Sequence, residues 1–187
     1  MALVIAGLLI WSGLHLMSFW GAGLRDGLKG AIGANPYRGL FSLAMVGAIV
    51  LIVFGWRTTD AEFVYDPPSW GRHATMLLIF LAIMSFGAGS GKSNLRRFIR
   101  HPQLTGMILF CVGHLLANGD SLSVVTFGGL GIWAIVEILL LNRREGEWIR
   151  PEPTPLSAEI KLPVISVVLY AILLFAHQYV IGVNPMG

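Results

Sequence analysis

Five histidines lie in or at the ends of apolar stretches of this 187-residue chain, at positions 15, 73, 101, 114 and 177. An ionisable side chain in hydrocarbon is costly unless it is paired, binds a metal or faces a cavity, so it is a candidate functional residue. His15, His114 and His177 lie deepest. Neutral imidazole is a ligand for haem iron, copper and zinc, and three deep imidazoles in so small a protein favour shared metal or cofactor ligation.

The expected cofactor is haem b, because the chain has no Cys-x-x-Cys-His segment for covalent haem attachment. Depth within the helices favours one axial pair. His114 is 13 residues beyond His101 and His177 is 15 residues beyond Leu162, which places both roughly 20 Å from the cytoplasmic ends of their helices. His15 lies about 7 residues, or roughly 10 Å, from the corresponding end of its helix. Counting favours His114 with His177 and leaves His15 as the third candidate.

Two polar side chains are placed to support these histidines. Cys111 is three residues before His114 and shares its helical face, so it is an alternative ligand, a group that orients the ligand or a small packed hydrophobe. Glu137 is the only acid well inside an apolar stretch, and it either orients an imidazole, with His15 nearest in depth, or reaches the interface or pairs with an arginine.

Three other residues are weaker candidates for the same role. His73 and His101 begin apolar stretches, where each imidazole either has a chemical role or forms a hydrogen bond with water, lipid headgroups or helix ends. His101 precedes Pro102, which suits the first turn of a helix. Asn118 follows His114 by four residues, at the end of the same stretch.

The elements that position these residues are membrane helices. The chain is 55% hydrophobic and 12% charged, and its mean hydropathy of +0.72 is outside the range of soluble domains. A bilayer core of about 30 Å needs about 20 apolar residues in a helix. The sequence predicts one all-α transmembrane domain over residues 1–187, with spans near 2–22, 38–56, 73–90, 101–118, 121–142 and 162–182.

The loop charges predict the orientation of these spans. The first, third and fifth connections hold 11 of the 13 lysines and arginines, and the opposite side holds two. The positive-inside rule places the three basic connections in the cytoplasm and both termini outside. Because the basic residues are spread over loops, nucleic acid is an unlikely partner, and the expected surroundings are the lipids of a bilayer.

Several patterns have simple structural interpretations. Gly91-Lys92-Ser93 resembles part of a phosphate-binding loop, but Phe86 replaces its first glycine and the segment follows a membrane helix, so we interpret it as a helix end with basic anchors. The tryptophans mostly fall near span ends, as interfacial anchors or as the lining of an apolar cavity. Gly128, Gly129 and Gly131 suit close packing within one chain or between two, which leaves the oligomeric state open.

Six motifs in order resemble the NnrU family of bacterial membrane proteins, relatives of 15-cis-zeta-carotene isomerase. The His-Leu-Leu-Ala-Asn-Gly segment is the most specific of them. The matching segments are Gly13-Leu14-His15, Tyr37-Arg38-Gly39-Leu40-Phe41-Ser42-Leu43, Pro67-Pro68-Ser69-Trp70-Gly71-Arg72-His73, His101-Pro102 with Gly106, residues 114–120 and residues 177–187.

The resemblance implies a six-span protein associated with denitrification and nitric oxide reduction. Its isomerase relatives look like haem b enzymes in which membrane histidines hold the iron and a polyene is isomerised from cis to trans. Carried onto this chain, the ligands implied by the resemblance are His15 and His114, so His114 is common to the resemblance and to the depth argument.

Two other classes of function stay open at this point. Arg100-His101-Pro102 followed by Gly106 is similar to the motif of membrane methyltransferases that use S-adenosylmethionine, with Glu137, Glu145 and Glu147 as loose counterparts of their acidic motif. The third class is a non-enzymatic accessory factor that delivers haem to, or stabilises, a nitric oxide reductase system.

Overall fold

A computed structural model describes residues 1–180 and 182–186, with all their side chains except those of Ala158 and Val180. This part of the chain is built from α-helices, a single 3-10 turn at Asn94–Arg97 and an isolated β-bridge, which confirms the predicted all-α class. The α-helices are α1 (Ala2–Trp20), α2 (Ala22–Ile32), α3 (Ala34–Arg57), α4 (Gly71–Ser90), α5 (Pro102–Ala117), α6 (Ser121–Glu145), α7 (Leu156–Glu159) and α8 (Lys161–Val180).

Each predicted span corresponds to one apolar helix, with ends that agree within four residues. Helices α1, α3, α4, α6 and α8 are long and apolar enough to cross a membrane, and α5 is a shorter apolar helix of 16 residues. The protein is therefore a multi-pass integral membrane protein. Two residues of the predictions, Ile181 in the sixth span and Gly187 in the closing motif, lie outside the described residues. The orientation of the termini stays a prediction.

Helix α2 is an element that the span prediction does not contain. Leu24, Leu28 and Ile32 are spaced by four residues and are exposed. The ammonium group of Lys29 lies 5.2 Å from the centre of the Tyr37 ring. A short helix with an unburied apolar stripe and charged residues is typical of one that lies in the membrane interface.

The chain divides into two compact units, and unit 1 comprises Met1–Tyr65 and Gly119–Trp133. Helices α1 and α3 pack closely there, because a Cβ at Gly7 would lie 2.7 Å from the Ala48 carbonyl oxygen. Glycine at such a contact lets two membrane helices approach along their backbones. Val4, Leu8 and Leu122 form the buried apolar core of this unit.

The connection after α3 is tied to the start of α6 within unit 1. The amides of Val64 and Tyr65 donate to the Gly119 carbonyl oxygen at 2.9 and 3.0 Å. Asp120 caps α6, since its carboxylate accepts from the Ser123 amide at 2.9 Å and the Ser123 hydroxyl at 2.6 Å. An acceptor at this position satisfies amides that have no partner inside the helix.

Unit 2 comprises Asp66–Asn118 and Ala134–Gly187, in which α4 packs antiparallel against both α5 and α8. Polar contacts gather at the end of the unit where α5 begins and α6 ends. His101 bonds Asn142 through Nε2 at 3.0 Å. The guanidinium of Arg100 donates to the Gly146 carbonyl oxygen at 2.8 Å and to Glu145 at 3.3 Å. His101 thus joins two helix ends.

Candidate functional site

Helix α5, which carries His114, is held against α4 by small residues. A Cβ at Gly106 would lie 3.0 Å from the Ala82 carbonyl oxygen, and one at Gly113 would lie 3.4 Å from the Leu78 side chain. The Thr75 hydroxyl lies 2.6 Å from the Gly113 carbonyl oxygen on α5. It also lies 2.8 Å from the Gly71 carbonyl oxygen on its own helix. These backbone approaches leave α5 little freedom to slide or rotate on α4, and they fix the direction in which His114 projects.

The imidazole of His114 is partly buried and is oriented by its own helix. Its Nδ1 lies 2.9 Å from the Phe110 carbonyl oxygen, four residues earlier. A carbonyl oxygen only accepts, so Nδ1 carries the proton in this bond and the lone pair of the neutral ring lies on Nε2. The ring also rests on the Phe110 ring, with centroids 4.2 Å apart. This is the arrangement in which metal-bound histidines are usually found.

His177 has the same tautomer through a different partner. Its Nδ1 lies 2.7 Å from the carbonyl oxygen of Val183, beyond the end of α8. His114 and His177, the two histidines that the depth count favours, both belong to unit 2.

His15 lies in an aromatic cluster in unit 1. Its Nδ1 is 2.9 Å from the Trp11 carbonyl oxygen, which again leaves the lone pair on Nε2. Ring centroids lie 4.6 Å away for Trp11, 4.8 Å for Trp133 and 5.6 Å for Phe41. The aromatic walls limit the rotation of the imidazole.

Two polar hydrogens beside His15 lack acceptors in the described part of the chain. They belong to the indole N–H groups of Trp11 and Trp133, which are buried in unit 1 without a hydrogen-bond partner there. A buried donor without an acceptor costs about 1–3 kcal/mol. A bound group that brings a carbonyl or carboxylate oxygen to these donors would remove that cost.

The comparison with known protein families decides the family of the chain. A family model described as NnrU protein matches residues 3–185, which is nearly the whole sequence. The chain belongs to the NnrU family. No curated protein and no solved structure matches it.

The other residues predicted for the site lie in different surroundings in this NnrU protein. Cys111 is a buried free cysteine, 2% exposed, on the same helix as His114. The Asn118 side-chain amide donates to the His114 carbonyl oxygen at 2.9 Å, so it contacts the backbone of that residue. His73 is exposed near the start of α4. Glu137 lies on α6 with a buried carboxylate oxygen, and its predicted role as an orienting acceptor stays a prediction.

The histidines of this NnrU chain could serve as ligands only singly. Within residues 1–180 and 182–186, no three His, Cys, Asp or Glu side chains form a group that could hold a metal ion. A haem iron takes four ligands from its porphyrin and needs only one or two axial ligands from the protein. Imidazoles with a fixed Nδ1–H and the lone pair on Nε2 are suitable axial ligands.

The aromatic cluster is the feature that the sequence interpretation missed. Of the two interpretations of the tryptophans, interfacial anchoring does not apply to Trp133, which is 6% exposed and packs against His15. The spacing contained the relevant information, because Trp11 and His15 are four residues apart and share a helical face.

Proposed function

We propose that this NnrU protein is a haem b protein of the bacterial inner membrane, with His114 and His177 as axial ligands. The observation that carries the proposal is the Nδ1–H bond that each imidazole makes to a backbone carbonyl oxygen. It sets the tautomer and leaves Nε2 as the basic nitrogen, as in known metal-bound histidines. His15 has the same bond and is the alternative partner that the family resemblance implies.

The chain's own residues explain why such a site would be selective. The backbone carbonyl partners orient each imidazole, and the His114 side chain is partly buried. Haem b, when bound, supplies an iron centre for redox or ligand chemistry. We propose that this chemistry serves nitric oxide reduction in denitrification or the cis-trans isomerisation of a polyene, which would approach from the lipid.

The test is the optical spectrum of the protein, purified in mild detergent from cells supplied with a haem precursor, in the oxidised and reduced states. We expect a low-spin haem b spectrum that is lost in His114→Ala and in His177→Ala. The matched control is His73→Ala, which removes an exposed histidine outside the proposed site and should leave the spectrum unchanged. Size-exclusion profiles and helical circular dichroism of every variant separate loss of haem from loss of fold.

The spectra have distinct outcomes for the competing arrangements. Loss of the spectrum in His15→Ala and His114→Ala, with His177→Ala unchanged, would assign His15 as the second ligand. A wild-type protein without haem absorption after haem reconstitution, or three variants that all keep the wild-type spectrum, would refute the proposal.

The physiological role requires a separate experiment. We expect a deletion strain to lose nitric oxide consumption or polyene isomerisation while its nitric oxide reductase remains assembled and loaded with haem. A reductase that lacks haem or fails to assemble in that strain would instead make the protein an accessory factor.

A second candidate function is supported by one observation in unit 2. Arg100 of the methyltransferase-like motif bonds Glu145, and both border a polar cleft of about 290 Å³ together with Glu147. This volume lies just below the range of about 300–1,000 Å³ that is typical of small-molecule sites. Transfer of label from methyl-labelled S-adenosylmethionine to membrane lipid or prenyl substrates, abolished in Glu145→Gln, would establish this function in place of haem chemistry.

A further inference from the structure

A second, larger cavity lies between α4 and α8, on unit 2. It is a groove of about 700 Å³ whose walls are mostly apolar. Apolar residues from the middle of α8 form its long wall, namely Ile165, Leu169, Ile172 and Leu173. Ser166, which is 2% exposed, lies among them on the same helix. The volume is within the range of about 300–1,000 Å³ for sites that hold small ligands.

The antiparallel packing of α4 and α8 defines both ends of the groove. Toward one end, the Tyr170 hydroxyl donates to the Met76 carbonyl oxygen at 3.0 Å and the Tyr170 ring packs edge-on against Phe80. At the other end Gly87 faces Leu162, and an added Cβ would lie 2.6 Å from the leucine side chain. The missing side chain at Gly87 thus lets the Leu162 side chain approach α4 closely.

The end of the groove near Gly87 and Leu162 is polar and basic. Lys92 follows the end of α4 and Lys161 begins α8, and both border the cavity and are exposed. The nearby Glu159 carboxylate already accepts bonds, from the Asn94 amide at 2.7 Å and the Ser93 hydroxyl at 3.3 Å. An apolar groove thus ends at two ammonium groups, and the loop charges predict that this end faces the cytoplasm.

We infer that this groove binds one anionic phospholipid of the cytoplasmic leaflet. Its phosphate lies between Lys92 and Lys161, and one acyl chain lies along the apolar wall of α8. Charge complementarity favours this occupant, because the electrostatic attraction of a lysine is stronger for an anionic lipid than for a zwitterionic one. The site is separate from the histidines, so it does not depend on haem binding.

The test is lipid binding to the full-length protein, measured by native mass spectrometry in detergent. The probes are dioleoyl phosphatidylglycerol, dioleoyl phosphatidylcholine and soluble glycerol 3-phosphate. We expect tighter binding of phosphatidylglycerol, with a loss of about fivefold in affinity for each of Lys92→Gln and Lys161→Gln and about 25-fold for both. Lys29→Gln is the matched control, because Lys29 is the remaining one of the three lysines of the chain and lies outside the groove.

A second pair of variants tests the apolar wall independently of charge. Leu169→Trp fills the groove and should weaken binding of both lipids, whereas Val168→Trp, at the adjacent exposed position outside the groove, should not. Equal affinity for the two lipids, or lysine variants that match Lys29→Gln, would overturn the inference. Full competition by glycerol 3-phosphate would instead indicate a site for a free phosphate ester. If no lipid bound and Leu169→Trp dissociated a dimer, the groove would be an interface between two copies of the chain.

Discussion

Replacing Gly7 by alanine should destabilise unit 1, whereas the same change at Gly13 should not. Both glycines lie on α1. A Cβ at Gly7 would lie 2.7 Å from the Ala48 carbonyl oxygen and 2.7 Å from the Ile52 side chain, while no described atom outside the local helix lies within 4 Å of a Cβ at Gly13. The two substitutions therefore add the same methyl group, but only the one at Gly7 creates a steric clash.

The size of the destabilisation follows from how far the two helices must move apart to accommodate the added Cβ. Ordinary contact begins near 3.4 Å, so α1 and α3 must separate by about 0.7 Å at Gly7. Overpacking of this kind costs about 1–3 kcal/mol. Alanine also gains about 1 kcal/mol of helix propensity over glycine, but both variants share this gain. The difference in the free energy of unfolding between the two variants should therefore be about 1–3 kcal/mol.

The assay is thermal unfolding of the detergent-solubilised protein. For a protein of this size, 1 kcal/mol corresponds to about 2–4 °C, so the Tm of Gly7→Ala should lie about 2–12 °C below that of Gly13→Ala. Because Phe41 on α3 packs against His15 on α1, the same variant should disturb the surroundings of that imidazole. Equal Tm values for the two variants would show that α1 and α3 do not approach at Gly7.

Two further predictions concern the connections outside the membrane helices. Burial and, secondarily, the Asp120 carboxylate raise the pKa of Tyr65 above its ordinary value near 10. The contribution of Tyr65 to the stability of the folded state is therefore complete below about pH 10 and is lost as pH rises through the folded-state pKa. Asp120→Asn should move the pKa of Tyr65, followed by ultraviolet absorbance, part of the way back toward its ordinary value. In a Cys111→Ser background, a membrane-impermeant maleimide applied to intact spheroplasts should label Asp60→Cys but reach Glu152→Cys only after lysis, and the reverse pattern would invert the predicted topology.

The membrane helices were predictable because a single physical requirement dominates them. Backbone groups in hydrocarbon must bond within their own helix, so an apolar run of sufficient length has one available structure. Helix α2 was not predicted, since its 11 residues are too few to span a membrane and its three glycines weaken the helical pattern. Its apolar stripe, Leu24, Leu28 and Ile32, is visible only when the period of the helix is imposed.

The sequence was sufficient to identify the candidate histidines but not the groups that surround them. Depth counting identifies His114 and His177 as level because helix rise is constant. It carries no information on the carbonyl partners, and the Val183 carbonyl reaches His177 only because the chain turns after α8. The packing of Trp133 on His15 depends on how distant helices assemble, which local sequence patterns do not encode.

The bonds at His15 and His114 have a consequence for biosynthesis. Each acceptor carbonyl belongs to the residue four positions earlier in the same helix. Each imidazole can therefore adopt its proton arrangement as soon as its own helix enters the bilayer, before any neighbouring helix has docked. His177 must wait for the turn that delivers the Val183 carbonyl. The bonds of His15 and His114 can thus form within a single helix, whereas that of His177 forms only after residue 183 has been added and the chain has turned back.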